Sequence, residues 1–129
     1  MRILLDTHTF LWFADDNLKL SDYAVEVMTS SDADLLLSTA SLWEIAIKVN
    51  LKKLVISDRY EVFIPEQFAL NSFKILPISF DHLKVVESLY LHHRDPFDRL
   101  LIAQSIQEKI PIISADARFD DYDGVKRYG

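Results

Sequence analysis

RILLDTHTFLWF (Arg2–Phe13) is the stretch that decides the architecture. Arg2 to Leu5 is a short apolar run of the length expected for a buried strand, and it ends on an acid, Asp6. The polar Thr7-His8-Thr9 leads into Phe10, Leu11, Trp12 and Phe13, which open a short helix. The same order of strand, polar residue and helix recurs downstream. Asp34 to Leu37 reads as a second strand, and from Ser41 the pattern turns helical through Leu42, Trp43, Ile45, Ala46, Ile47 and Val49. Only Glu44 and Lys48 interrupt that apolar surface, so the helix is expected to be well buried. Between these units Ser21 is placed to cap a helix running to about Thr29, with Tyr23, Val27 and Met28 as its apolar positions.

Further along, Asp58 to Asn71 carries a looser helical spacing, and Pro65 is expected to divide it into two helices. Phe73 to Ile78 is strand-like, with Pro77 marking its end or an edge. Phe80 to Tyr90 has helical spacing. Asp95-Pro96 starts a strong helix through Glu108, because proline is favoured at the first helical position. Pro111 to Ser114 is a fourth strand, Asp116 follows it, and Val125 to Tyr128 is a candidate last strand. Strands alternating with helices predict an α/β fold with a mainly parallel central sheet and helices on both faces.

The 129 residues suit one domain, 1–129, and no repeat or linker divides them. Cysteine is absent, so disulfides and thiolate ligands are excluded and any metal must be held by oxygen or imidazole. The net charge is −6, which argues against a broad basic footprint for nucleic acid; attraction to phosphate would need another source, such as a bound cation. Only Gly124 and Gly129 are glycines, so there is no glycine-rich phosphate loop. Asp6 interrupts the first apolar run too early for a signal peptide, and no apolar run nears the roughly 18 residues of a membrane span. A cytoplasmic location is expected.

Ligands of an open parallel sheet bind beyond the C-terminal ends of its strands. Asp6 and Asp116 follow two strands directly, Glu44 is expected in the first turn after the second strand, and Asp98 in the first turn after Pro96. All four then face one edge, where they would repel one another unless a hard cation such as Mg²⁺ or Mn²⁺ lay between them. Each acid also has a structural explanation. Asp6 and Asp116 could cap helices. Glu44 could close a capping box with Ser41 or pair with Lys48. Asp98 could serve the helix dipole. Their joint placement favours a site. His92-His93 reads as a polar loop with a possible acid–base role, and His8, two residues past a strand end, as a packed side chain near the site. Asp15-Asp16 and Asp120-Asp121 read as solvated turns, and Trp12 and Trp43 as core aromatics.

RILLDTHTFLWF, STASLWEIAIK, HHRDPFDRLLIAQS and PIISADARFDDY, in that order, resemble the PIN-domain ribonucleases, and among them the toxin subunits of VapBC-type toxin–antitoxin pairs. The resemblance spans essentially the whole chain, with DPFDRLLIAQ its most specific part. It implies that Asp6, Glu44, Asp98 and Asp116 are the catalytic acids and the ligands of one or two Mg²⁺ or Mn²⁺ ions, which activate water for hydrolysis of an RNA phosphodiester. Ser114 matches a small hydroxyl position near the site, and Asp95 is close enough to assist without being assigned as a ligand. The resemblance further implies a homodimer and a cognate antitoxin whose C-terminal segment covers the acids. Arg94, Arg99, Arg118, Lys126 and Arg127 are candidates for contact with the RNA backbone.

Two other chemistries fit less well. A haloacid dehalogenase-like phosphohydrolase needs a second aspartate two positions after the first, and His8 stands there. A phosphate-accepting signalling module needs an aspartate at a middle strand end, where this chain has Leu37-Ser38-Thr39. The alternative that stays open is a catalytically inactive PIN-like module that binds RNA or protein.

Overall fold

A computed structural model describes residues 1–129. Five strands, β1 (Arg2–Leu5), β2 (Asp34–Ser38), β3 (Lys74–Leu76), β4 (Ile112–Ile113) and β5 (Arg127–Tyr128), form one parallel sheet in the order β3-β2-β1-β4-β5. Six helices accompany them: α1 (Thr7–Ala14), α2 (Asp22–Met28), α3 (Thr39–Asn50), α4 (Tyr60–Asn71), α5 (Phe80–Ser88) and α6 (Pro96–Glu108). The α/β class, the parallel sheet and the order of elements agree with the sequence pattern.

Successive strand residues point to opposite faces, so each apolar run supplies two cores. Ile3, Leu5, Leu35, Leu37 and Ile113 pack on one face with Phe10 of α1, Met28 of α2, Ile45 of α3 and Phe63 of α4. Leu4, Leu36, Leu76 and Ile112 pack on the other with Leu101 and Ile102 of α6 and with Phe119. On that second face α5 is clasped to α6 by His82. Its Nδ1 accepts the Ser79 N–H at 3.0 Å, which leaves Nε2–H to donate to Glu108 Oε2 at 2.8 Å.

Several local expectations are corrected. Helix α3 begins at Thr39 under a Ser38 cap, not at Ser41, so Glu44 is its sixth residue rather than part of its first turn. The same helix is not buried all round, because Trp43 is 59% exposed. In α2 the buried positions are Ala24 and Met28, while Tyr23 is exposed. Pro65 does not split its segment: α4 is continuous, and the proline lies on its exposed side, where the ring meets solvent.

The order β2-β1-β4 gives the site its place. From β1 the chain first adds strands on one side, β2 and then β3, and later adds β4 and β5 on the other. Such a reversal opens a crevice at the strand ends between the two central strands. Leu5 pairs with Ile113, so Asp6 and Ser114 leave the sheet side by side.

Candidate active site

Asp6 occupies the N-cap position of α1, yet its side chain does not cap the helix. It turns to β4, where the fully buried Ser114 donates from Oγ to Asp6 Oδ2 at 2.8 Å. The same hydroxyl accepts the backbone N–H of Asp116 at 3.0 Å, so one buried serine sets two of the four acids. Two threonines lock this corner. Thr9 Oγ1 donates to the Ile113 carbonyl at 2.9 Å, and Thr7 Oγ1 donates to Ser41 Oγ of α3 at 2.8 Å. Burial raises the Asp6 pKa above its ordinary value, Glu44 adds to the rise, and the Ser114 bond opposes it.

Glu44 projects from the buried side of α3 beside Ser41 and Ile45. Lys48, one turn on, donates to Glu44 Oε2 at 2.8 Å, so the helical pairing anticipated from the spacing is made. That bond raises the Lys48 pKa, and Asp95 and Asp98 raise it further. Asp95, not Asp98, caps α6: its Oδ1 accepts the N–H groups of Phe97 and Asp98 at 2.8 and 3.2 Å. Asp98 is thereby free of the capping role. Only 18% of its side chain is exposed, and burial together with Asp6, Asp95, Glu44 and Asp116 pushes its pKa up to about 7. Asp116 does cap, accepting the Arg118 N–H at 3.0 Å at the start of the 3₁₀ turn Ala117–Asp121. Arg118 also grips its carboxylate, with Nη2 2.7 Å from Oδ2, and this holds the Asp116 pKa below the ordinary value.

The four sequence-predicted acids and Asp95 therefore line one cleft of about 370 Å³, together with His8, Trp12, Lys48, Ala115 and Arg118. A larger depression of about 820 Å³ opens at the other end of the strands, beside Met1 and Arg2, but its one carboxylate, Glu108, is already held by Arg2 and His82. As the side chains stand, no three of the acids are arranged to grip a single ion. Two of them are already neutralised by cations of the chain itself, Glu44 by Lys48 and Asp116 by Arg118. The donor chemistry nevertheless fits a hard divalent ion: every candidate ligand is a carboxylate oxygen, and such an ion relieves both the burial and the neighbouring acids that raise Asp98.

The remaining candidates separate clearly. His8 lines the cleft, with its ring 5.7 Å from that of Trp12. His92 lies outside it, between the rings of Tyr90 and Tyr122. His93 is buried, with Nε2 3.9 Å from Asp98 Oδ2. Of the five basic candidates only Arg118 lines the cleft. Arg99 holds the carbonyls of Leu89 and Tyr90, Arg127 pairs with Asp120 and donates to the Ser114 carbonyl, and Lys126 sits over the Tyr128 ring. Asp120 is thus an ion-pair partner and not merely a solvated turn residue. Trp43 is no core residue either; it meets Phe97 edge-on at 5.1 Å on the surface. Tyr122 is the participant that sequence reasoning passed over. Its hydroxyl contacts His93, 29 residues away, with no local pattern to announce it.

A family model described as PIN domain matches residues 3–125. A comparison with curated proteins returns no match. Among solved structures the chain is similar to VapBC2 from Rickettsia felis bound to a DNA fragment from their promoter, with a TM-score of 0.74 at 13% identity over 99% of this chain and 98% of that one. DNA-bound VapBC from Salmonella typhimurium gives a TM-score of 0.72 at 12% identity, covering 99% and 97% of the two chains. FitAcB from Neisseria gonorrhoeae gives 0.65 at 17% identity, covering 98% and 96%. At these identities the likeness is one of fold.

Proposed function

The chain belongs to the PIN domain family, and from that premise we propose that it is, as a single domain over 1–129, a metal-dependent endoribonuclease. Asp6, Glu44, Asp98 and Asp116 are its catalytic acids and ligands of Mg²⁺ or Mn²⁺. The observation that carries the proposal is the cleft itself. Carboxylates from the ends of β1 and β4 and from α3 and α6 share it, and burial together with those neighbouring charges pushes Asp98 up to about 7, a cost that a cation would relieve.

A bound divalent ion would supply a water activated for attack and a counter-charge for the phosphate. The chain's own groups do the rest. Ser114 holds Asp6 and the Asp116 backbone in fixed relation. Lys48 and Arg118, which pair with Glu44 and Asp116 inside the cleft, would serve as donors to an RNA phosphate were those acids to hold the ion. The ring pair of His8 and Trp12 at the cleft wall offers a face on which a base can stack. The lining contains no exposed hydroxyl or thiol, which favours hydrolysis by water over a covalent protein intermediate.

The toxin role and the antitoxin are part of the same proposal, supported by the fold shared with VapBC and FitAcB structures. A cognate antitoxin would cover the acids, and a second copy of the chain would form a homodimer that shields exposed apolar groups such as Trp43 and Leu51. The proposed location is the cytoplasm; no helix is long and apolar enough to cross a membrane. Incubation with single-stranded RNA tests the activity. Cleavage is expected with Mg²⁺ or Mn²⁺ and should stop with chelator; full cleavage in excess chelator would overturn the metal assignment.

A further inference from the structure

Beside Asp98 lies a polar atom that neither packing nor hydrogen bonding explains. The His93 side chain is 7% exposed, and its Nε2 is buried without a partner. Phe119 stacks on one face of the ring at 5.7 Å, and Tyr122 meets it edge-on at 5.2 Å. The loop that carries it is tied down by Arg99, whose guanidinium donates to the carbonyls of Leu89, Tyr90 and His93. The ring therefore has little freedom to turn toward another partner. An apolar side chain would fill the space without a stranded polar atom.

The Tyr122 hydroxyl stands where it can set which nitrogen of a neutral ring carries the proton. Its oxygen accepts the His93 backbone N–H at 3.1 Å and stands 3.2 Å from Nδ1. When the hydroxyl's own hydrogen is donated to Nδ1, the neutral ring carries its proton on Nε2. Nε2 faces Asp98 Oδ2 at 3.9 Å, about 1 Å beyond a hydrogen bond.

We propose that His93 is a positioning residue for Asp98: the Tyr122 hydroxyl holds it as the Nε2–H form, and that N–H donates to the Asp98 carboxylate and orients it as a ligand. This inference rests on Asp98 being a metal ligand. It explains why a buried histidine with an unmet donor stands at the acid whose charge is hardest to hold. Ligating carboxylates are oriented by such outer hydrogen bonds, and losing one typically weakens metal binding by roughly ten- to a hundredfold.

The test uses the full chain, Mn²⁺ as the titrant, and four variants: His93→Leu, His93→Gln, Tyr122→Phe and Asp98→Asn. Mn²⁺ affinity, read by electron paramagnetic resonance of the free ion, is expected to fall by roughly ten- to a hundredfold in His93→Leu. It should fall less in Tyr122→Phe and largely recover in His93→Gln, whose amide N–H₂ reaches the place of Nε2–H. Nitrogen-15 spectra of the unaltered protein should show His93 protonated on Nε2, with that proton moving downfield when Mg²⁺ is added. A proton on Nδ1, or Mn²⁺ binding in His93→Leu equal to the unaltered chain while Asp98→Asn loses it, would overturn the role of His93 alone. Unaltered protein and Asp98→Asn that bind Mn²⁺ equally would overturn the ligand reading and this inference together.

Discussion

Asp98→Asn removes a charge that the fold holds at a cost, and the structure gives the size and sign of the effect. The carboxyl is raised from 3.8 to about 7 by burial and by Asp6, Asp95, Glu44 and Asp116. At about 1.4 kcal/mol per pKa unit the shift corresponds to at most about 4.5 kcal/mol; because some of the side chain still reaches water, about 2–4 kcal/mol is the expected range. Between pH 4 and 7 folded Asp98 keeps a proton that the unfolded chain has released, so folding stability falls as pH rises through that window. The full penalty is present above pH 7 and absent below about pH 4.

Asparagine is neutral throughout. In urea unfolding with chelator, Asp98→Asn should therefore be the more stable protein at pH 8 by about 2–4 kcal/mol, with the gap closing toward pH 4. A thousandfold excess of Mn²⁺ over its dissociation constant should close or reverse the gap, since the unaltered protein then gains about 4.1 kcal/mol and the variant gains little. RNA cleavage should collapse in the variant. If Asp98 were only a first-turn acid serving the helix dipole, its loss would destabilise by about 0.3–1 kcal/mol instead. A variant less stable than the parent at pH 8 in chelator, or a gap that does not change with pH, would refute the electrostatic account of the cleft.

Ser114→Ala should cost about 1–3 kcal/mol, because it removes the donor to Asp6 and the acceptor for the Asp116 N–H, and should cut cleavage by roughly tenfold or more; unchanged cleavage at saturating Mg²⁺ would separate Ser114 from the site. Lys48→Met should destabilise the metal-free protein by about 1–2 kcal/mol, allowing for the partial exposure of the lysine, since Glu44 stays buried without its counter-ion. Thermal melts should show Mn²⁺ restoring that loss; a melt that ignores Mn²⁺ would argue against Glu44 as a ligand. His82→Leu, at the opposite end of α6 from Asp98, should lower stability by about 1–3 kcal/mol through the lost bond to Glu108, while cleavage per folded molecule stays level.

What the chain determines locally was legible in the residues. Apolar runs such as Ile3-Leu4-Leu5 and Ile112-Ile113 announce buried strands, and Asp95-Pro96 announces the start of α6, because strand burial and helix initiation depend on neighbours a few positions apart. The acids at the ends of those elements could be named for the same reason. The sequence misled where a local preference was outweighed. Pro65 was tolerated because it lies on the exposed side of α4, and Trp43 stands in solvent although its helix is rich in apolar residues.

The tertiary structure alone decided how distant pieces meet. Ser114 reaches Asp6 across 108 residues because β4 joins the sheet beside β1, and no spacing along the chain records that pairing. Only packing could reveal that burial beside four other acids raises Asp98, that Arg118 lies in the cleft while Arg99 and Arg127 are spent on the scaffold, and that the Tyr122 hydroxyl meets His93. Side-chain charge and proton position depend on burial and on neighbours brought together by folding, and both are set by strand order and helix docking rather than by local sequence.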